Sequence, residues 1–232
     1  MRRRSGLCAV LALMSTLAAP SAAVAQQSVN FYLGGFVPRG EEARDRDDVL
    51  RNNLDFLAFD IRDFNGATVG GEWLFALGDK VDASLGIGVS SRRVPSVYAD
   101  VVNSNGREIE QDLRLRIVPF TATLRWLPLG HRDAFVPYIG AGVGVLRWRY
   151  SETGEFVDFS DRSIYRDSFV GTGAASGPVI LGGARFPVGS VDIGGEVRYQ
   201  HALGDLPEDQ EFSGPKIDLG GFSYLFTLNV RF

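Results

Sequence analysis

Apolar side chains at every second position recur along this chain, and no other sequence feature restricts its fold as strongly. In the last segment, positions 222, 224, 226, 228, 230 and 232 are all apolar, whereas Thr227, Asn229 and Arg231 between them are polar. Segments 81–90 and 191–200 alternate in the same way. A period of two is typical of β-strands that have one apolar and one polar face. The sequence therefore predicts an all-β fold.

The alternating segments define eight strands whose connections alternate in length. The predicted strands are 28–37, 65–76, 80–92, 109–127, 134–150, 175–187, 190–203 and 217–232. The predicted long connections are 38–64, 93–108, 151–174 and 204–216. An even number of antiparallel strands, with short turns at one end and long loops at the other, is the plan of a transmembrane up-and-down β-barrel. Because unpaired backbone groups are costly in lipid, the first and last strands are expected to close the sheet.

The N-terminal segment has the features of an export signal. Basic residues at 2–4 precede an apolar run over 7–19, and Ala23-Val24-Ala25 is a small-x-small cleavage pattern. We predict a cleaved secretory signal peptide over 1–25 and an outer-membrane β-barrel domain over 26–232. Since Cys8 is the one cysteine of the chain, the mature protein has no disulfide framework or thiol nucleophile. No cofactor or metal site is predicted.

Charge and hydropathy exclude two classes of protein. Removing the three arginines at 2–4 leaves 21 basic against 28 acidic residues, so the net charge changes from −4 to −7. This acidic balance gives no reason to expect a nucleic-acid partner. Outside the signal peptide there is no run of 18 apolar residues, so transmembrane helices are not predicted.

Aromatic residues are predicted to mark both membrane interfaces. At the short-turn end, taken as periplasmic, they are Trp73, Phe75, Trp126, Phe186 and Phe232. At the opposite end they are Trp148, Tyr150, Tyr199, Phe222 and Tyr224. These two belts, the alternation of turn and loop lengths and the aromatic terminus favour the membrane barrel over a lipocalin-like soluble barrel, in which the apolar face is internal.

Two segments break the simple alternation. Around Val118-Pro119 the apolar residues change from odd to even positions, which predicts a β-bulge there. In 138–150, the apolar residues of the first half share the parity of Arg147 and Arg149. Either glycines face the lipid in that segment or a second bulge intervenes.

The sequences RIVPFTATLRWLPLG (116–130) and FVPYIGAGVGVLRW (135–148), with the terminal LNVRF, resemble the small OmpA/OmpW-like outer-membrane β-barrel proteins. The resemblance implies the outer membrane of a Gram-negative-type bacterium and this fold. It also implies that the terminal strand is a signal for the barrel-assembly machinery, carried by Tyr224, Phe226, Leu228, Val230 and Phe232. Activity follows only weakly, because the family includes anchors, adhesins and narrow channels.

The inward positions carry many charges. The predicted lumen network consists of Glu72, Asp82, Arg114, Arg116, Arg125, Asp192, Glu196, Arg198 and Arg231. An eight-stranded barrel is only wide enough to be filled by its own side chains. One interpretation is a polar plug that holds the strand register. The alternative is a gate of Arg125, Glu196 and Arg198 that opens a narrow conduit for small solutes.

Catalysis finds little support in the two histidines, His131 and His201. His201 has the lipid-facing parity, as in barrel enzymes that deacylate lipopolysaccharide. Those enzymes carry a His-x-Ser arrangement, however, and Leu203 occupies the place of the serine. Because a serine nucleophile needs a hydrogen-bonded base, we predict no catalytic residue.

The first long connection offers two weak signals. Its arginines are suited to lipopolysaccharide phosphates, and its clustered aspartates are suited to a divalent cation; a merely solvated loop is the alternative. The arginines are Arg39, Arg44, Arg46 and Arg51, and the aspartates are Asp45, Asp47 and Asp48. Residues 53–61 are too apolar for a plain loop, and either extend a strand or fold over the barrel mouth.

These observations predict a monomeric, non-enzymatic outer-membrane barrel with a structural or surface-interaction role. Its expected partners are outer-membrane lipids, lipopolysaccharide and the barrel-assembly machinery. Two alternatives stay open, namely a narrow channel and a lipid A-modifying enzyme.

Overall fold

The computed structural model describes residues 27–232, so the predicted signal peptide lies outside the described part of the chain. Within residues 27–232 there are ten strands, one α-helix and two 3₁₀ helices. The strands are β1 (Gln27–Pro38), β2 (Gly66–Ala76), β3 (Val81–Val102), β4 (Glu108–Trp126), β5 (Val136–Val157), β6 (Ile164–Val188), β7 (Val191–Gln200), β8 (Leu203–Asp205), β9 (Lys216–Asp218) and β10 (Gly221–Arg231). The helices are α1 (Val49–Asn53) and the 3₁₀ helices Glu41–Ala43 and Ile61–Phe64.

Eight of these strands form a closed antiparallel barrel in the order β1-β10-β7-β6-β5-β4-β3-β2. The ring closes between β1 and β10, which pair from Ser28 and Arg231 to Pro38 and Gly221. The predicted eight-stranded fold and its closure are confirmed. The two short strands β8 and β9 form a separate ribbon, which packs against β6. No helix in residues 27–232 is long and apolar enough to cross a membrane.

The outer surface of the barrel carries a continuous apolar band. Outward side chains such as Leu33, Ile139 and Val143 are 61%, 60% and 64% exposed. The band covers positions 81–89 of β3 and 118–126 of β4, which matches the length of about 9 to 11 residues that a tilted strand needs to cross hydrocarbon. At the level of this band the inner face of the barrel is polar, whereas the inner face of a lipocalin-like barrel is apolar. Hydrocarbon is therefore the solvent that this surface fits.

Beyond the apolar band, the longer strands continue with their polarity inverted. In β4, Leu113, Leu115 and Ile117 are buried inside the barrel, whereas Arg114 and Arg116 are exposed outside. An apolar interior with a charged exterior is the arrangement of a β-structure in water. The barrel wall therefore projects well past the membrane.

This extension corrects the predicted loops at 93–108 and 151–174. Most of these residues belong to β3–β4 and β5–β6 hairpins, and only 103–107 and 158–163 remain as connections. The prediction failed because the polar outward residues of the extensions read as loop. The other two long connections lie at 39–65 and, around the β8–β9 ribbon, at 201–220.

The predicted bulge at Val118-Pro119 is wrong. The register of β4 against β5 is unbroken from Gln111 and Gly154 to Trp126 and Ile139. Odd positions of β4 face inward throughout, so the change in the apolar positions marks the passage from lipid to water. In β5 the glycines of 140–144 face inward and the register has no bulge, so neither lipid-facing glycines nor a second bulge is present. There too, the apolar face changes where the strand passes from lipid to water.

We call the connection 39–65 the cap. A hydrophobic core beneath the cap closes the upper lumen. Val49 and Leu50 of α1 are fully buried, and Asp48 caps the helix by accepting a hydrogen bond from the backbone N–H of Arg51 at 3.0 Å. Residues 53–61 fold over the mouth, where Leu57 forms a bridge with Tyr98.

The outer aromatic belt is smaller than predicted. Trp148 and Tyr150 are buried in the core of the upper lumen, with exposures of 4% and 0%. Their even parity directs them inward, above the lipid. Tyr199, Phe222 and Tyr224 do lie on the outer surface. At the periplasmic end, Trp73 stacks on Phe75 with ring centroids 5.6 Å apart.

Candidate functional site

Four buried charges form the centre of the membrane-level lumen, and we call them the ionic quartet. Glu72 pairs with Arg125, and with Arg198 at 2.6 Å. Glu196 pairs with Arg125 at 3.0 Å and with Arg198 at 2.5 Å. Each carboxylate thus contacts both guanidinium groups, and all four side chains are at most 4% exposed. The quartet is neutral overall, and buried charges are tolerated when they are paired and hydrogen-bonded in this way.

Neutral polar and aromatic groups complete the shell around the quartet. The side-chain amide of Asn30 donates to Glu72 at 3.2 Å, and the hydroxyl of Tyr138 donates to Glu196 at 3.0 Å. The guanidinium of Arg125 lies 5.0 Å from the ring centre of Tyr138, and that of Arg198 lies 5.1 Å from Tyr32. These contacts fix the side chains across the whole lumen.

Glycines on the inner face give these large side chains their room. A Cβ atom on Gly86 would lie 2.8 Å from Cγ of Glu72, and one on Gly70 would lie 2.3 Å from the hydroxyl of Tyr32. Both glycines are required because the large side chains lie directly against their backbone.

A second charged cluster lies nearer the periplasmic end. Asp82 pairs with Arg185 at 2.8 Å, and its other carboxylate oxygen lies 2.7 Å from Nε2 of His131. Beside it, Arg231 pairs with Asp192 at 3.1 Å. His131 reaches this position from the turn between β4 and β5, so a turn residue takes part in the cluster.

The ion pair at the periplasmic end predicts a pH response. The hydrogen bond with Asp82 raises the pKa of His131 above its ordinary value. A raised pKa in the folded state means that the pair stabilises the fold fully below the unfolded pKa of about 6.5. That stabilisation is lost as the pH rises through the folded pKa. An NMR titration of Asp82→Asn is expected to show the pKa of His131 falling relative to the wild type. An unshifted His131 would contradict the contact.

The structure distributes the nine residues of the predicted lumen network among three places. Four form the quartet, and Asp82, Asp192 and Arg231 lie in the periplasmic cluster. The placement of Arg114 and Arg116 in the lumen is wrong, since both lie exposed on the outer wall. The apolar neighbours of both arginines face the lumen at this height, so the arginines face outward. Arg185 was missed, although its alternation with the lipid-facing Phe186 indicates an inward side chain.

Most of the charged residues predicted as a surface site in the first connection instead hold the cap together. Arg44 forms a buried ion pair with Asp48 at 2.9 Å, and Arg39 pairs with Asp218 at 2.8 Å. Arg51 donates to the carbonyl of Arg44 at 3.0 Å. Of the predicted residues, Arg46, Asp45 and Asp47 remain exposed. In residues 27–232, no group of three or more potential metal-ligating side chains is assembled.

His201 lies in the contact between the cap and the β8–β9 ribbon. Its Nδ1 is 3.1 Å from Nη1 of Arg39 and 3.9 Å from a carboxylate oxygen of Asp218. Among the hydrogen bonds of the described chain, none joins His201 to a hydroxyl group. The geometry of an activated serine is therefore not formed around it.

The terminal strand presents its apolar face to the outside. Tyr224, Phe226 and Leu228 are 55%, 51% and 37% exposed, and Phe232 is 70% exposed. Val230, on the same face, is half-buried. The five residues of the predicted assembly signal thus share one outer surface.

Neither a protein-family model nor a curated protein matches this chain. Among solved structures, the outer membrane protein OprG from Pseudomonas aeruginosa is similar over 90% of this chain and 96% of its own, with a TM-score of 0.52 and 15% identity. Neisserial surface protein A matches over 89% and 97%, with a TM-score of 0.46 and 10% identity. Outer membrane protein W of E. coli matches over 90% and 98%, with a TM-score of 0.41 and 15% identity. The chain has the fold of the small OmpA/OmpW-like outer-membrane β-barrels.

Proposed function

We propose that this protein is a closed, non-enzymatic barrel of a Gram-negative outer membrane, with a structural or surface-interaction role. Its fold and its apolar outer band support the location. The observation that carries the functional proposal is the filling of the lumen at two separate levels. A conduit would have to pass both.

The lower level is the ionic quartet, whose Arg125 is only 1% exposed. Separating it would leave charges buried without partners, which is strongly unfavourable. The upper level is the hydrophobic core under the cap, in which Leu50, Leu113 and Leu146 are fully buried. Opening this level would expose apolar surface to water. The two levels resist opening for different physical reasons, and this argues against the narrow-channel alternative.

Planar-bilayer recording of the refolded protein tests the closed state. Wild-type protein is expected to give a stable baseline without current steps. Heat-modifiable gel mobility of the same sample would verify that the barrel is folded. Reproducible unitary steps from folded material would contradict the proposal and restore the channel alternative.

The proposal includes lipopolysaccharide as the partner of an arginine patch on the outer wall. The patch consists of Arg93, Arg114, Arg116, Arg147 and Arg149, all exposed. Arg93 stands opposite Arg114, and Arg116 stands opposite Arg149 on the neighbouring strand. Like charges in opposed positions repel each other, which favours a site occupied by anions.

Few carboxylates neutralise this patch. Arg93 pairs with Asp112, whereas the other four arginines form no ion pair within residues 27–232. The patch begins where the apolar band ends, since Arg147 pairs in register with Val118. That level corresponds to the phosphate groups of the outer leaflet, and guanidinium matches phosphate geometry.

The patch is tested with the refolded barrel in neutral detergent. Replacing Arg114, Arg116, Arg147 and Arg149 with glutamine is expected to weaken binding of bisphosphorylated lipid A about tenfold or more. A control with the same charge change replaces Arg46, Arg62, Arg132 and Arg162, which are exposed elsewhere. Equal affinity of both quadruple variants would contradict a role for the patch.

The absence of enzymatic activity is part of the proposal, and the environment of His201 supports it. Expression of the wild type and of His201→Ala in a Gram-negative host is expected to leave the lipid A mass spectrum unchanged. Loss of an acyl chain with the wild type alone would contradict this.

We also propose that the outer face of β10, together with Phe232 after it, is the signal for the barrel-assembly machinery. Deleting Phe232 is expected to lower the amount of assembled barrel in cells severalfold, while refolding into lipid vesicles stays near wild type because the side chain is 70% exposed. Phe186→Ala, which also removes an exposed aromatic side chain, is the control. Equal assembly of both variants would contradict the assignment.

A further inference from the structure

An open cavity of about 450 Å³ lies at the extracellular mouth, above the filled lumen. It is bounded by the upper ends of β3, β4, β5 and β6, by the cap and by the connection between β8 and β9. Six aromatic side chains line it: Phe56, Tyr98, Phe156, Phe159, Tyr165 and Phe169. We call it the aromatic cavity. Its volume lies in the range of small-molecule sites.

The rings form two connected groups. Phe56 lies 5.8 Å from Tyr98 and 6.1 Å from Phe159, as measured between ring centroids. Phe156 lies 5.8 Å from Tyr165 and 4.7 Å from Phe169. Phe159 is nevertheless 65% exposed to solvent. Aromatic faces carry partial negative charge and attract cations.

Two buried acceptors also line the cavity. Glu152 is 4% exposed, and one of its oxygens accepts hydrogen bonds from Asn53 at 2.7 Å and Tyr150 at 2.8 Å. No basic side chain of residues 27–232 pairs with it. Gln111 is 2% exposed, and its side-chain oxygen has no hydrogen-bond partner. Its amide nitrogen already donates to the hydroxyl of Tyr98 at 3.2 Å.

The charge around the cavity has one sign. Asp158 and Glu211 also line it, and no Lys, Arg or His of the described chain does so. An anionic ligand would be repelled. A neutral apolar ligand would leave the side-chain oxygen of Gln111 without a hydrogen bond, whereas a donor would pair it.

We propose that the aromatic cavity binds a small organic ammonium ion. The ammonium group donates to the oxygens of Glu152 and Gln111, and the apolar part of the ligand packs among the rings. This inference goes beyond the closed-barrel proposal and does not depend on it, because the cavity is reached from the extracellular side. The cavity would be present at the extracellular mouth of a conducting barrel as well.

Calorimetric titration of the refolded barrel with three probes tests the ligand class. The probes are 2-phenylethylammonium, its neutral analogue 2-phenylethanol and the anion 3-phenylpropionate. The ammonium ion is expected to bind at least tenfold more tightly than the alcohol, and the anion not at all. Equal binding of the alcohol, or no binding of the ammonium ion, would overturn the proposal.

Variants then test the assigned groups. Glu152→Gln is expected to weaken ammonium binding about tenfold or more, since hydrogen bonds to charged groups are among the stronger ones. Phe159→Leu is expected to weaken it about two- to fivefold through loss of the ring face. Exposed Glu42→Gln and Phe135→Leu are the matched controls.

Glu211→Gln keeps the test decisive if the Glu152 variant fails to refold, because Glu211 is exposed. A measurable loss of ammonium affinity in Glu211→Gln and Phe159→Leu, with unchanged controls, would support the cavity. Affinities that match the wild type in both variants would overturn it.

Discussion

Replacing Glu72 with alanine is expected to lower the free energy of unfolding by about 3 to 5 kcal/mol. The variant leaves Arg125 and Arg198 buried with one carboxylate between them instead of two. The measurement is urea unfolding in lipid vesicles, followed by tryptophan fluorescence. Glu108→Ala removes an exposed carboxylate from the same barrel wall and serves as the control. A loss below about 1 kcal/mol for Glu72→Ala would mean that the quartet is solvated.

The same network predicts strong non-additivity. Replacing both Glu72 and Arg198 with glutamine keeps the lumen neutral and preserves the pair of Arg125 with Glu196 at 3.0 Å. The double variant is therefore expected to be more stable than the sum of the single losses implies, by about 1 to 3 kcal/mol. Additive losses in this double-mutant cycle would contradict direct coupling.

Leu50→Ala is expected to destabilise the cap by about 2 to 5 kcal/mol, because Leu50 is fully buried in the core of the upper lumen. The loss should appear as faster amide hydrogen exchange in 49–57, with the membrane-level strands still protected. Leu129→Ala is the control, since that side chain is 53% exposed in a periplasmic turn. Unchanged amide exchange in the cap would show that the core of the upper lumen does not stabilise the cap.

The alternation of residues was enough to predict the barrel but not its height. Period two determines which residues share a face, and in the structure Glu72, Glu196 and Arg198 meet in the lumen. It does not tell where the surrounding solvent changes from lipid to water. In β4, Leu115 faces inward and Leu124 faces outward although both are leucines. Which face is apolar depends on the height above the membrane, so Arg114 and Arg116 were assigned to the wrong side.

The cap and the aromatic cavity could not be predicted because they depend on contacts between distant segments. The sequence makes Asp48 a candidate cation ligand, yet its carboxylate accepts a hydrogen bond from the backbone N–H of Asp218, 170 residues away, at 2.6 Å. Glu152 fell within a predicted loop, and its burial results from the hairpin extension together with the cap. Nothing in the local sequence of the turn indicates that His131 contacts Asp82, which lies 49 residues away in the chain.

The position of the barrel in lipid can be measured with spin labels on single cysteines, since the described chain contains no cysteine. Labels at Leu124→Cys and Val143→Cys are expected to be accessible to oxygen and shielded from a water-soluble nickel relaxant. A label at Thr172→Cys, on the outer wall above the apolar band, is expected to show the reverse. Strong nickel accessibility at positions 124 and 143 in reconstituted protein would contradict the claim that lipid surrounds the apolar band.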